Sequence, residues 1–288
     1  MYQTTLEKIE SSHIVFFGFD PSGADSSNEW YRRFCILKSD NGIDFELIKY
    51  FPDLSLSDVD VLKIGNTWYV IGTGVFYETT DFETMTAIDM PLSTSNLTDY
   101  DRVWAPQFCK NYADNTWHIV YYARKTGGAQ GMYLADFDPN TGTISNLFQA
   151  ISISSGSQID PDICYFNGKY YMWTSDPHLY VATSLTGPYT EVATNINTKW
   201  NSALWYEGPY MMFANGIAYF YQDKITGMMP GVSDSGYVVC RTANTSDLST
   251  WSDEFLVKSP LNIRHGCFKV INKKFNSETI SDTILEVN

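Results

Sequence analysis

Three acidic residues stand at matching points of a repeated pattern. Asp58 in Ser57-Asp58-Val59, Asp160 in Ile159-Asp160-Pro161-Asp162 and Glu207 in Tyr206-Glu207-Gly208-Pro209 each lead into an apolar run. Brought together, they could do general acid–base chemistry. One carboxylate would draw a proton from water, and one protonated acid would give a proton to a leaving oxygen. The local surroundings already separate the two roles. Leu204-Trp205-Tyr206-Glu207-Gly208-Pro209-Tyr210 is apolar and aromatic, so desolvation and a nearby Asp160 carboxylate would keep Glu207 protonated. Asp58 follows Asp53-Leu54-Ser55-Leu56-Ser57, a more polar stretch in which it can stay ionised.

The elements that must gather these residues show themselves as a repeat. Ser57–Ile71 overlies Ile159–Trp173 without a gap: acid, turn residue, acid, apolar strand, a turn with Asn and Gly, aromatic strand. That is the pattern of a β-hairpin. Variants begin at Ala105-Pro106-Gln107-Phe108, Gly208-Pro209-Tyr210-Met211 and His265-Gly266-Cys267-Phe268. Aligned on Val61, Phe108, Ile163, Met211 and Phe268, the copies are 47, 55, 48 and 57 residues apart. Such periods, with several strands each, predict propeller blades. Only 20 residues follow Phe268, too few for a blade, while His13–Phe19 and Tyr31–Leu37 are unassigned strands. The expectation is an all-β, five-bladed β-propeller over residues 1–288, a single catalytic domain. The C-terminal copy supplies the inner strand of its last blade and the N-terminus the outer two.

In a propeller the first strand of each blade lines the axial channel, so residues just before it meet at one mouth. Asp58, Trp104 with Ala105, Asp160, Glu207 and His265 therefore converge. Three are carboxylic acids, the constellation an inverting glycosidase needs. Each also has a plainer reading. An Asp before a strand commonly caps a turn, Trp104 serves as well for core packing as for a sugar-facing surface, and His265 fits as a satisfied polar residue of the channel. Asp60 and Asp162 repeat each other two residues after the key acids and serve blade structure. His13, His118 and His178 read as structural.

These pieces, in order and at blade spacing, resemble glycoside hydrolase family 43 over nearly the whole chain: Ser57-Asp58-Val59, Val103-Trp104-Ala105-Pro106, Ile159-Asp160-Pro161-Asp162, Tyr206-Glu207-Gly208-Pro209 and Arg264-His265-Gly266. The resemblance implies Asp58 as catalytic base, Asp160 as the residue that tunes and orients the acid, and Glu207 as the acid. Trp104 and Trp205 are the candidate substrate-binding surfaces. His265 matches a residue that supports an ion through water, so a structural calcium ion in the central channel is expected, with no cofactor required. One departure is Val59 where the family commonly has proline after the base. Asp20-Pro21 offers a competing Asp-Pro, but it follows an apolar strand instead of opening one. The resemblance points to an α-L-arabinofuranosidase or β-xylosidase acting with inversion on small oligosaccharides. An endo-1,5-α-arabinanase is the alternative, and a non-catalytic carbohydrate-binding propeller the rival of another class.

Composition agrees with a β domain and narrows the partners. Of 288 residues, 44% are hydrophobic and 16% aromatic, which favours strands. The formal charge of −14, with no basic cluster, opposes nucleic acid, and no apolar run is long enough to cross a membrane. Cys35, Cys109, Cys164, Cys240 and Cys267 are odd in number and scattered, and read as buried free thiols. The opening residues lack a basic segment followed by an apolar one, so a cytoplasmic location is expected. Asp136-Phe137-Asp138-Pro139-Asn140-Thr141-Gly142 has its glycine one position late for an EF-hand and reads as a hairpin turn. No phosphate-binding glycine loop, metal-protease helix or nucleophile elbow is present.

Overall fold

The computed structural model describes residues 12–22, 32–153, 159–196, 205–214, 216–227 and 235–272. Strands β1 (Ser12–Asp20), β2 (Arg33–Ser39) and β3 (Glu46–Ser55) open it. Blade one holds β4 (Asp60–Ile64), β5 (Thr67–Gly72), β6 (Val75–Thr79) and β7 (Thr86–Ala87). Blade two holds β8 (Tyr100–Asn111), β9 (Thr116–Lys125), β10 (Gln130–Asp138) and β11 (Thr143–Ala150). Blade three holds β12 (Asp162–Phe166), β13 (Lys169–Thr174), β14 (His178–Ala182) and β15 (Thr190–Val192). Blade four holds β16 (Trp205–Ala214), β17 (Ile217–Gly227), β18 (Ser235–Asn244) and β19 (Phe255–Leu256). The last strand, β20 (Arg264–Asn272), pairs with β1, so blade five has the order β20-β1-β2-β3.

The five sheets make a five-bladed β-propeller. Inner strands β4, β8, β12, β16 and β20 touch one another in turn, and β20 returns to β4. Blade five is composite, but the N-terminal segment gives it three strands and not two. The third, β3, was invisible to periodicity because it is an exposed edge with no alternating apolar face.

Local chemistry explains the repeat. Asn167 and Gly168 both take positive φ, 48° and 79°, as the two-residue turn between β12 and β13 requires. The turn after Asp138 is capped by its own side chain, which accepts from Asn140 N at 2.9 Å. Core side chains fill wedges between neighbouring blades. Leu62, Ile71 and Phe76 meet Phe108, Ile119 and Tyr121, for example, and Trp173 stacks across a wedge on Phe220 at 4.0 Å. Buried Asp60 and Asp162 stitch blades together: Phe108 N donates to Asp60 Oδ2 at 2.7 Å, and Met211 N donates to Asp162 Oδ2 at 2.6 Å. Asp60 Oδ1 also takes Lys269 Nζ at 2.7 Å. All five cysteines are free thiols, and only Cys164 is not fully buried.

Candidate active site

Three residues before the aligned Val61, Phe108, Ile163, Met211 and Phe268 stand Asp58, Ala105, Asp160, Gly208 and His265. All five have positive φ: 54°, 49°, 52°, 54° and 27°. This left-handed kink costs a non-glycine residue on the order of 1–3 kcal/mol, so it persists only where the surroundings impose it. Those surroundings are the neighbouring blades. Ala105 N donates to Thr73 Oγ1 at 3.0 Å, Gly208 N to Asp160 Oδ2 at 3.5 Å, and His265 N to both oxygens of Asp223 at 3.0 Å. In β8 and β16 the kink coincides with a break in register, between Trp104 and Gln107 and between Glu207 and Tyr210. Bulges of this kind re-aim side chains at the rim of a sheet.

The kinks gather the acids around His265. Its Nδ1 lies 3.0 Å from Asp58 Oδ1, while Thr73 Oγ1 donates to Asp58 Oδ2 at 2.5 Å. Because Ala105 N–H already donates to that hydroxyl, the Thr73 proton is directed onto Asp58. Asp160 Oδ2 accepts from Ser175 Oγ at 2.7 Å and from the backbone of Gly208, the residue after Glu207. Glu207 Oε2 accepts from Arg264 Nη2 at 3.1 Å, and Arg264 Nε donates to Asp223 Oδ2 at 2.8 Å. Side-chain exposure divides the acids. Glu207 keeps 26% and Asp58 15%, so both reach solvent, whereas Asp160 is buried.

Electrostatics divide them further. Burial alone would raise the Asp58 carboxyl. The charges of His265 and Arg32, with hydrogen bonds from His265 and Thr73, instead hold it well below the usual carboxylate range. Burial, the charge of Asp160 and, more weakly, that of Asp223 push Glu207 up to about 7, against the opposing pull of Arg264 and His265. Burial also raises Asp160, with His265 opposing and Asp58 reinforcing. Burial would lower His265, but Asp58, Asp160 and Asp223 raise it to about 9, so the imidazole is cationic at neutral pH. Two carboxyls driven apart in this way can act as base and acid at one pH.

The remaining expected residues divide. Trp104 is half-buried at the mouth, with the Arg102 guanidinium 4.4 Å from the centre of its ring, so one face is already covered. Trp205 opens β16, and its side chain lies outside the described residues, as do 228–231 of the stretch Thr226–Gly231, read from sequence as a flap. Asp20 ends β1 without opening a blade, next to Phe19, which pairs with Arg264 of β20, and it accepts from Ser22 N at 2.9 Å. His13 and His178 pair with Asp40 and Glu191, and His118 lies 3.1 Å from Asp136. Sequence reasoning missed Thr73, Ser175, Asp223 and the role of Arg264. A signal existed for the first two, since each stands 15 residues after its Asp in the aligned copies.

The family model of glycosyl hydrolases family 43 matches residues 52–226, from the strand before Asp58 to the strand that carries Asp223. The chain belongs to that family. As a family-43 enzyme it hydrolyses glycosidic bonds. No curated protein sequence matches it, but solved structures share the fold. A thermostable family-43 glycoside hydrolase is 16% identical with a TM-score of 0.56, over 75% of this chain and 83% of that one. An endo-1,4-β-xylanase from Bacteroides thetaiotaomicron VPI-5482 is 17% identical with a TM-score of 0.53, over 75% and 84%. An endo-1,5-α-L-arabinanase from Thermotoga petrophila RKU-1 is 18% identical with a TM-score of 0.50, over 67% of this chain and 52% of that one. This chain thus spans about half of the arabinanase.

The expected calcium ion can be weighed against the donors of this family-43 site. Calcium takes six to eight oxygen ligands. Among the described residues no three His, Cys, Asp or Glu side chains are grouped to hold a metal ion. His265 Nδ1 is on Asp58, 3.0 Å from Oδ1. His265 Nε2 is buried without a hydrogen-bond partner. Among the described residues the side chains do not form a direct calcium cage.

Proposed function

We propose that this family-43 enzyme cleaves arabinose- or xylose-containing oligosaccharides with inversion, acting from chain ends as an α-L-arabinofuranosidase or β-xylosidase. Asp58 draws a proton from water as the water oxygen attacks the anomeric carbon. Glu207 gives its proton to the departing glycosidic oxygen. The products are a sugar hemiacetal of inverted configuration and a free hydroxyl on the remaining glycan. Asp160 keeps Glu207 in its acid form through its charge, and holds the backbone beside it through Gly208 N–H. The observation that carries this reading is the opposed drive on two solvent-reaching carboxyls, Asp58 low and Glu207 near 7. The preference for pentoses rests on the sequence resemblance and on the xylanase and arabinanase that share the fold.

A panel of 4-nitrophenyl α-L-arabinofuranoside, β-D-xylopyranoside and β-D-galactopyranoside tests it, with proton NMR of the first-formed sugar. The expected result is hydrolysis of a pentoside, initial release of the inverted anomer, and a fall in kcat of about 10²–10⁴ in Glu207→Gln. Release of the retained anomer would make Asp58 a nucleophile, and activity confined to the galactoside would overturn the pentose assignment.

A further inference from the structure

Asp223 is absent from the sequence-derived site, yet it is the buried residue directly opposite Glu207 in the β16–β17 pairing. Its carboxylate is fully engaged. Oδ2 accepts from Arg264 Nε at 2.8 Å, and both oxygens lie 3.0 Å from His265 N. Arg264 is almost wholly buried and splits its guanidinium between two carboxyls, with the shorter bond on Asp223 and the longer, 3.1 Å, on Glu207. Among the described residues, loss of Asp223 would leave Glu207 as the carboxyl that faces Arg264, drawing it toward a fuller ion pair and favouring its ionised form. The charged groups facing Glu207 are Asp160 from blade three, Arg264 and His265 from β20, and Asp223 from β17. Without Asp223 the two cations would face one anion.

We propose that Asp223 is a positioning residue that anchors Arg264 and offsets its charge, so that Arg264 orients the Glu207 carboxyl without taking its proton. The proposal rests on the reading of Glu207 as the acid. It adds a second carboxylate, on the strand beside the acid, to the influence of Asp160. Asp223 also fixes the His265 backbone, so one side chain of blade four sets both the arginine over the acid and the histidine over the base.

The test uses the full chain carrying glutamate labelled with carbon-13 at Cδ, with the Glu207 resonance identified by its absence from Glu207→Gln. In the parent this carbon titrates near neutral pH. In Asp223→Asn its midpoint falls by about one pH unit or more, and in Arg264→Gln it rises. In the double variant Asp223→Asn/Arg264→Gln it falls between those of the two single variants, because the two removed charges act in opposite directions. An unchanged or raised midpoint in Asp223→Asn overturns the proposal. Should that single variant fail to fold, the double variant decides. A midpoint below that of Arg264→Gln supports Asp223, and one equal to it overturns the proposal. If the carboxyl titrates as expected while Glu207→Gln hydrolyses its substrate as fast as the parent, the charge arrangement stands and the acid assignment falls.

Discussion

At the scale of single residues, Gly208 sits where the backbone is kinked and packed against a side chain of the site. A Cβ there would sit 2.7 Å from His265 Cγ and Cδ2, and the backbone is held at φ +54°. Only glycine meets both demands, a left-handed backbone and close approach to a neighbouring ring. Gly208→Ala should therefore push His265 away from Asp58 while straining the kink. The expected outcome is a loss of stability of about 1–3 kcal/mol and a fall in kcat of at least about tenfold. Urea unfolding read beside steady-state kinetics checks this. Parent-like turnover in Gly208→Ala would mean that the His265–Asp58 contact does not matter to the reaction.

At the scale of elements, the inner strands are joined by buried acids below the mouth. Asp162 accepts Met211 N–H from the next blade and faces Asp60 across the channel, and burial above all pushes its carboxyl up to about 8. The ordinary value is 3.8. Between the two, the folded chain keeps a proton that the unfolded chain releases. This group therefore makes stability fall as pH rises through that window, and level off above about 8. Asp162→Asn keeps an acceptor for Met211 N–H and removes the titration. Urea unfolding at pH 5 and pH 8 should show a flatter dependence in Asp162→Asn, with higher stability than the parent at pH 8. An unaltered slope would place the proton elsewhere. Asp60 differs because it has Lys269 as a buried partner, and breaking that pair from either side should cost about 3–5 kcal/mol.

At the scale of the molecule, closure depends on one strand from the far end of the chain. β20 pairs with β1 from Ser12↔Asn272 to Phe19↔Arg264 and touches both β16 and β4. It also carries Arg264 and His265, so the strand that shuts the ring completes the site. A chain ending at Ile263 would leave β1 as an open apolar edge, an invitation to pairing between molecules. Size-exclusion chromatography should show self-association of that truncated chain, and thermal circular dichroism should show no single cooperative transition. A monomer with parent-like melting would mean that the propeller holds without its closing strand.

How much of this was legible beforehand follows from which interactions are local. Strand–turn–strand patterns come from neighbouring residues, so the repeat, the five openings and the positions of Asp58, Asp160 and Glu207 could be read directly from the amino-acid order. Edge strand β3 escaped because a strand without a buried face carries no period. The left-handed kinks, the direction of the Thr73 hydroxyl, and the division of Arg264 between Asp223 and Glu207 arise between residues of different blades, 32 to 57 positions apart. Protonation preferences were half legible. An apolar setting for Glu207 is written into its neighbours, but the imidazolium that holds Asp58 ionised comes from the opposite end of the chain. Burial and charge act through space, and only the closed ring decides which groups share it.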